Sequence, residues 1–407
     1  MKILSRNGKV WQQLCNRQLV RRRRVEDAVR RIIEDVYAHG DSALLRYTRR
    51  FDKVKLASKD LRVTQAEISG AFQNLDPSLM TQLKAVIQNV RTFYARPRLK
   101  PVRMVDADGV ALGEKFDAID TVGVYIPAGT ASLLSTVYMT VVPAQQAGVR
   151  RIIMATPPKP HGGVDPHILA VASLLGVDEI YKMGGAQAIA AMAFGTKTIP
   201  KADKIVGPGN SFVAEAKRQV FGFTAIDTIA GPSEIAVIAD RFAHPDYVMA
   251  DLQGEAEHIG GICFLITNSK PLARLARKQI PGGYCLLVKN LDEAVDVVNQ
   301  LAPEHLGLLT RAPQKLVKRI RHAGAIFIGP YSPTTVGDYI AGPSHVLPTG
   351  GSARAFSGLG IDDFVRRTHL VAYTKKALER NREVLERLTT IENMPKHFDA
   401  VKVRLTG

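Results

Sequence analysis

Apolar residues recur every three to four positions through most of residues 22–100, the period of a helix with one buried face. VEDAVRRIIEDVYAHGDSALLRYTRRF and LMTQLKAVIQNVRTFY both carry the stripe. In TQAEISGAF, Thr64 and Glu67 have the spacing of a capping box, which predicts a helix start there. From about residue 101 the pattern changes to short apolar strands alternating with helices. TVGVYIPAG predicts a strand, STVYMTVVPAQQAG a helix with a glycine stop, and RRIIMATPP a strand closed by prolines. HILAVASLLG, AQAIAAMAFG and SFVAEAKRQVFG predict helices, with DEIYKMGG and DKIVGPGN as the strands between them.

Residues 234–330 repeat the theme: EIAVIAD, a helix through 245–258, GICFLIT, CLLV, the helix LDEAVDVVNQL, LGLLT, the helix PQKLVKRIRHAG and AIFIG. This alternation predicts an α/β fold with two βα-rich units, each a parallel sheet covered by helices. Residues 1–20 read as an irregular or helical arm, and the last 45 or so as helices.

Composition narrows the class. At 407 residues and 46% hydrophobic, the chain can build a sizeable core over two or three domains. No apolar run reaches the ~18 residues of a membrane span, and MKILSRNGKVWQQLC lacks a signal-peptide core. The three cysteines, Cys15, Cys263 and Cys285, are odd in number and far apart, which points to a reducing cytoplasm. Cys263 and Cys285 lie in apolar runs and read as buried, inert thiols. A net charge of +17 invites a nucleic-acid reading, but the basic residues are dispersed and only 6% of residues are aromatic. The one dense run, RRRR at 21–24, leads into a helix and reads as its solvated face. No nucleic-acid or membrane partner is expected.

No GxGxxG follows any predicted strand. MGGAQAIAA and VGPGNSFVAEA still open helices with glycine-rich backbone, whose free N–H groups suit a phosphate as well as they suit a structural turn. In APEHL, Glu304 and His305 are adjacent, two proton acceptors at one point or an ordinary loop pair. In DLQGEAEHIGG, Asp251, Glu255 and His258 fall at i, i+4 and i+7 of one predicted helix face. That face is either solvated or part of a metal site. Asp338 precedes His345 in GDYIAGPSH, and Glu392 precedes His397 in ENMPKH. Histidine and carboxylate are ligands that suit zinc, although spacing alone does not assemble them.

GGAQAIAAMAFGT, DKIVGPGNSFVAEAKRQV, AGPSEIAVIAD, DLQGEAEH, APEHL and GDYIAGPSHVLPTGG occur in the order found in histidinol dehydrogenases. The chain resembles that family from about residue 22 to 400. The resemblance implies two Rossmann-like units: 101–233 as one, and 21–100 with 234–358 as the other. Residues 1–20 would be an N-terminal arm and 359–407 a C-terminal, dimer-associated helical domain. It implies zinc-dependent, NAD-linked oxidation of L-histidinol through histidinaldehyde to L-histidine, by a cytoplasmic homodimer with shared active sites.

Carried over by motif, the metal ligands fall on Glu255, His258, Asp338 and His397, and the base pair on Glu304 and His305. Those metal ligands and His305 also border the substrate, together with Ser233, His345 and Glu392. NAD contacts fall on Tyr125, Gln187 and Asn210. Three features depart from the family pattern: glutamate at 255 where it has glutamine, a shortened stretch at 268–284, and YIPAGTASLLST in place of a Pro-Gly-Gly loop. The first and third keep open a relative that oxidises another small primary alcohol, such as a sulfonated diol; a catalytically silent binding or regulatory protein is a separate alternative, against which intact Glu304 and His305 weigh.

Overall fold

The computed structural model describes residues 1–6, 8–16, 23–95, 100–129, 131–229, 231–258 and 260–406. Arg21 and Arg22 of the basic run, and residues 17–20 of the arm, lie outside the described residues, whereas Arg23 and Arg24 are exposed as expected. The chain divides into two compact units, Met1–Ala95 with Ile119–Phe364, and Arg96–Ala118 with Val365–Gly407.

The first unit holds two parallel sheets. One runs in the order Ile180–Lys182, Arg151–Thr156, Thr121–Tyr125, Lys204–Val206, Ala225–Ile226. The other runs Lys2–Ile3, Tyr284–Leu287, Ile262–Thr267, Glu234–Ala239, His305–Leu309, Ala325–Ile328. Apart from the edge strand Lys2–Ile3, both sheets wind alike. The first strand is central, the next two lie to one side, and the last two to the other. Their central strands, TVGVY and EIAVIA, are almost continuously apolar and buried, as sheets covered on both faces require.

The helix Gly185–Phe194 is buried along nearly its whole length, and its alanines let it lie close to the sheet. At Gly123 an added Cβ would lie 2.9 Å from Met192 Sδ and 3.2 Å from Ala202 Cβ, so any side chain there would have to displace its neighbours. The capping box at the start of Gln65–Ala71 forms as expected: Glu67 N donates to Thr64 Oγ1 at 3.2 Å, and Thr64 N donates to Glu67 Oε2 at 2.9 Å.

Three features were not visible in the periodicity. First, Val29, Ile32 and Val36 of the helix Arg23–His39 share a core with Ile189, Met192 and Val213 over the five-stranded sheet. Their stripe marks which face is buried but not which sheet covers it, and the sequence had grouped them with 234–358. Second, Val102–Val105 and Ala111–Ala118 join an antiparallel sheet with Val365–Ala372, inside a region read as helical from 359 onward. These strands expose most of both faces, so they lack the alternation that marks a half-buried strand. The helices expected in the chain's last part follow them, at Lys375–Arg380, Arg382–Ile391 and Pro395–Thr406. Third, Lys2–Ile3 of the arm adds an edge strand beside Tyr284–Cys285, too short for any period to register.

Candidate active site

The helix Leu291–Leu301 stops at Ala302, which takes a left-handed turn at φ +50°, and Pro303 follows. The turn drops Glu304 and His305 at the amino end of the strand His305–Leu309. Pairing of His305 with Ile235 brings them beside Ser233 and Glu234, where the central strand of the six-stranded sheet begins. Ser233 Oγ donates to Glu304 Oε2 at 2.8 Å, and Glu234 N donates to the same oxygen at 3.0 Å. His305 Nδ1 lies 3.3 Å from Glu255 Oε2 and 3.9 Å from Glu304 Oε2, while Nε2 lies 3.6 Å from Asp338 Oδ1.

Glu255, Glu304 and His305 are 3%, 7% and 4% exposed. Burial pushes the Glu304 carboxyl up to about 7, against the opposing pull of His305. Burial alone would lower His305, but Glu304, Asp338 and Glu255 outweigh it and hold the imidazole well above its ordinary value. His345 titrates in the opposite direction: burial lowers it. Its Nδ1–H donates to the Asp338 carbonyl at 2.8 Å, and Nε2 accepts from the Thr136 hydroxyl at 3.3 Å, the pattern of a neutral ring.

The expected single face of Asp251, Glu255 and His258 breaks at its last member. The helix Pro245–Ala256 ends before His258, whose N–H closes a turn onto Glu255 O at 3.2 Å. A side chain at Gly261 would collide with the Glu255 carbonyl, so the chain doubles back tightly. His258 is therefore exposed, yet close enough to His345 for its charge to disfavour a second proton there. Asp251 is partly buried, which raises its carboxyl to about 6.

Ser233, Glu255, Glu304, His305, Asp338 and His345 thus form one cluster in the first unit. Glu392 follows the helix Arg382–Ile391, and His397 lies in Pro395–Thr406, both in the second unit. Among the described residues, no three histidine, cysteine or carboxylate side chains form a ready metal cage. Glu255 and Asp338 turn toward His305 instead. Glu255 Oε1 is nevertheless buried with no hydrogen-bond partner, and three carboxylates surround one imidazole. Acceptors so outnumber donors that the set fits a cation.

Glu234 escaped the sequence reading. Its buried Oε1 accepts from Glu304 N at 3.3 Å and from Gly350 N at 3.2 Å, tying the 349–351 loop to the base pair. The available signal was an acid opening an otherwise apolar parallel strand.

A second site lies at the carboxyl end of the five-stranded sheet. The strand order reverses between Thr121–Tyr125 and Lys204–Val206, the switch point where open α/β sheets hold ligands. Gly207 sits there at φ +115°, and a side chain on it would collide with the Tyr125 carbonyl oxygen. Tyr125 Oη accepts from Gly185 N at 3.0 Å, at the start of the helix Gly185–Phe194. Asn210 caps the helix Ser211–Val220 by accepting from Phe212 N at 3.0 Å and Val213 N at 3.1 Å. Gln187 is 1% exposed, and neither atom of its amide has a partner among the described residues. Two helix amino ends, an orphaned amide and glycine backbone fit the pyrophosphate and polar edges of a dinucleotide.

A family model described as histidinol dehydrogenase matches residues 15–405. The chain belongs to the histidinol dehydrogenase family. The histidinol dehydrogenase of Geobacillus kaustophilus is 46% identical over 397 residues, covering 93% of each chain. That of Listeria monocytogenes is 43% identical over 399 residues, again covering 93% of each. The crystal structure of histidinol dehydrogenase from Elizabethkingia anophelis superposes with a TM-score of 0.91 at 35% identity, covering 100% of this chain and 98% of that one.

Cys263 and Cys285 are free and buried, as their apolar runs predicted. Cys263 is buried with Sγ donating to Leu252 O at 3.1 Å, and burial pushes its thiol up to about 12 and that of Cys285 to about 11. No helix among the described residues is long and apolar enough to cross a membrane.

Proposed function

We propose that this chain, as a histidinol dehydrogenase, oxidises L-histidinol to L-histidine through histidinaldehyde, in two hydride transfers with one water added between them. The observation that carries the reading is the buried Glu304–His305 pair, flanked by Glu255 and Asp338. Bound zinc, held by Glu255, His258, Asp338 and His397, supplies a Lewis acid and an anchor for the amino-imidazole, and bound NAD accepts the hydrides. His305 is the proposed base for the hydroxyl proton of the alcohol: with Glu255 and Asp338 serving the metal, two of the three carboxylates that hold its proton would turn away and leave the ring neutral, ready to accept. Glu304, raised to about 7 by burial, is poised to take a proton from water and so to hydrate the aldehyde. Its Oε2 is held by Ser233 and the Glu234 amide, which fixes the direction of that transfer. His345, neutral and anchored on Asp338, offers a polar contact to the reacting oxygen. Glu392 balances the substrate ammonium.

In this reading Tyr125, Gln187 and Asn210 contact NAD, and the two parallel sheets are Rossmann-like units. The enzyme is a cytoplasmic homodimer with shared active sites. The dimer is supported by the apolar surface of the second unit, where Ile391 and Val371 are 79% and 70% exposed. The test is NADH formation by the purified protein with zinc and NAD, using L-histidinol beside a panel of short diols. Two NADH per L-histidine is the expected result. Turnover of a diol but not of histidinol would overturn it in favour of another primary alcohol, a possibility raised by the glutamate at 255.

A further inference from the structure

Asp52 lies far from Glu304 in sequence and outside every motif of the family resemblance. It ends the π-helical turn Thr48–Asp52, and Lys53 after it is left-handed at φ +61°. Such turns cluster at functional sites, and a bulky residue at positive φ is strained. The turn delivers the Asp52 carboxylate to the carboxyl end of the five-stranded sheet, close enough to Tyr125 for its charge to be felt at the phenol. A Cβ on Gly184 would lie 3.3 Å from Asp52 Oδ1 and 2.8 Å from Pro157 Cγ. Asp52 is therefore packed between the end of the strand Arg151–Thr156 and the start of the helix Gly185–Phe194. Its Oδ2 is buried and has no hydrogen-bond partner among the described residues. The orphaned amide of Gln187 begins the same helix: a Cβ on Gly185 would lie 2.8 Å from Gln187 Oε1.

What ligand suits a buried carboxylate at a helix amino end? The helix end alone would take an anion, but the carboxylate repels one. It suits a neutral group with hydroxyl donors next to an anionic one. A dinucleotide presents both, ribose hydroxyls beside a pyrophosphate. In dinucleotide-binding folds an acid about 20 residues past the first turn accepts from the ribose 2′-hydroxyl. This chain has no acid at all between Asp120 and Asp165. The Asp165 carboxylate is already engaged by Ser132 Oγ at 2.6 Å and by His167. The βα unit thus supplies no acid of its own, and Asp52 comes from outside it to the same end of the sheet.

We infer that Asp52 accepts hydrogen bonds from a ribose of the dinucleotide and makes this site select NAD over its 2′-phosphorylated counterpart. The inference rests on the NAD reading of this crevice. It is tested by calorimetric titration of the zinc-loaded enzyme with NAD and with NADP, without turnover. Wild type binds NAD more tightly than NADP. Asp52→Asn weakens NAD about tenfold, the scale of a charge-assisted hydrogen bond, and leaves NADP unchanged or tighter. Gln187→Ala weakens both cofactors without changing their ratio. An unchanged NAD-to-NADP ratio in Asp52→Asn, with NAD binding lost in Gln187→Ala, overturns the role of Asp52 and leaves the NAD site standing. Failure of wild type to bind NAD overturns both. Circular dichroism of Asp52→Asn separates loss of fold from loss of contact, and Asp52→Ser keeps a small polar group as a second variant.

Discussion

Replacing Lys217 by methionine tests whether the Gly207 loop, the proposed cofactor loop, is held by charge or by packing. Lys217 is 1% exposed and forms an ion pair with Asp227. Its Nζ also donates to Gly207 O at 2.9 Å, while Gly207 N donates to Asp227 Oδ2 at 2.8 Å. The pair therefore grips both polar groups of the residue at the switch point, three positions before Asn210. Methionine matches the length of the lysine stem but leaves a buried carboxylate without its cation and the Gly207 carbonyl without its donor. Breaking one side of such a pair costs about 3–5 kcal/mol. Removing both partners, as Lys217→Met with Asp227→Leu, removes the stranded charge, so the double variant should be no less stable than Lys217→Met. Chemical unfolding followed by far-UV circular dichroism measures all three variants at fixed zinc. A coupling energy of about 2 kcal/mol or more is expected. A single variant that loses less than ~1 kcal/mol, or effects that simply add, would refute a clamp held by charge.

Three further outcomes are expected. Burial raises the Asp52 carboxyl to about 6, above its ordinary 3.8, so charging it disfavours the fold. The cost is absent below the ordinary value and complete above about 6; Asp52→Asn should therefore gain on the order of 1 kcal/mol at pH 8 and nothing near pH 4, read from unfolding midpoints. Glu255→Gln removes a negative charge from the proposed zinc set and should weaken metal retention while keeping turnover; competition with a chelator measures it, and unchanged or tighter retention counts against the assignment. Gly207→Ala places a Cβ against the Tyr125 carbonyl at a φ of +115°, so NAD affinity should fall at least tenfold; wild-type affinity would show that the loop is not held this way.

The parallel sheets were legible because most strands from TVGVY to AIFIG are short apolar runs between turn residues, followed by a helix; the two-residue strand Ala225–Ile226, which no helix follows, was missed. The antiparallel strands were not, because 365–372 faces solvent on most positions and so carries no period. Glu304 and His305 stood out by adjacency, but what surrounds them comes from separate elements. Glu255 ends one helix, Asp338 lies in Thr334–Tyr339, and Ser233 precedes a strand. Sequence spacing cannot report such convergence; the family resemblance could, since motifs carry it residue by residue. Asp52, Lys217 and Asp227 escaped both routes. Each is a charged residue outside any motif, and only its burial shows that it has a task.

In the proposed function the two sheets use opposite ends, and backbone electrostatics accounts for the choice. In a parallel α/β layer the carboxyl ends of the strands face helix amino ends, which carry partial positive charge, and the amino ends face helix carboxyl ends, which carry partial negative charge. The proposed dinucleotide site takes the first setting, where a pyrophosphate would suit the starts of Gly185–Phe194 and Ser211–Val220. The acid–base cluster takes the second: Glu255 lies in the last turn of Pro245–Ala256, and Glu304 follows the end of Leu291–Leu301. Three carboxylates at helix carboxyl ends repel one another unless a cation sits among them. At the other end of the six-stranded sheet the switch point is closed, because Arg311 N at 3.0 Å and Phe242 N at 2.9 Å both donate to the Asp240 carboxylate. The proposed function thus places anion binding and cation binding on different sheets, and the same winding would serve both because only the end in use differs.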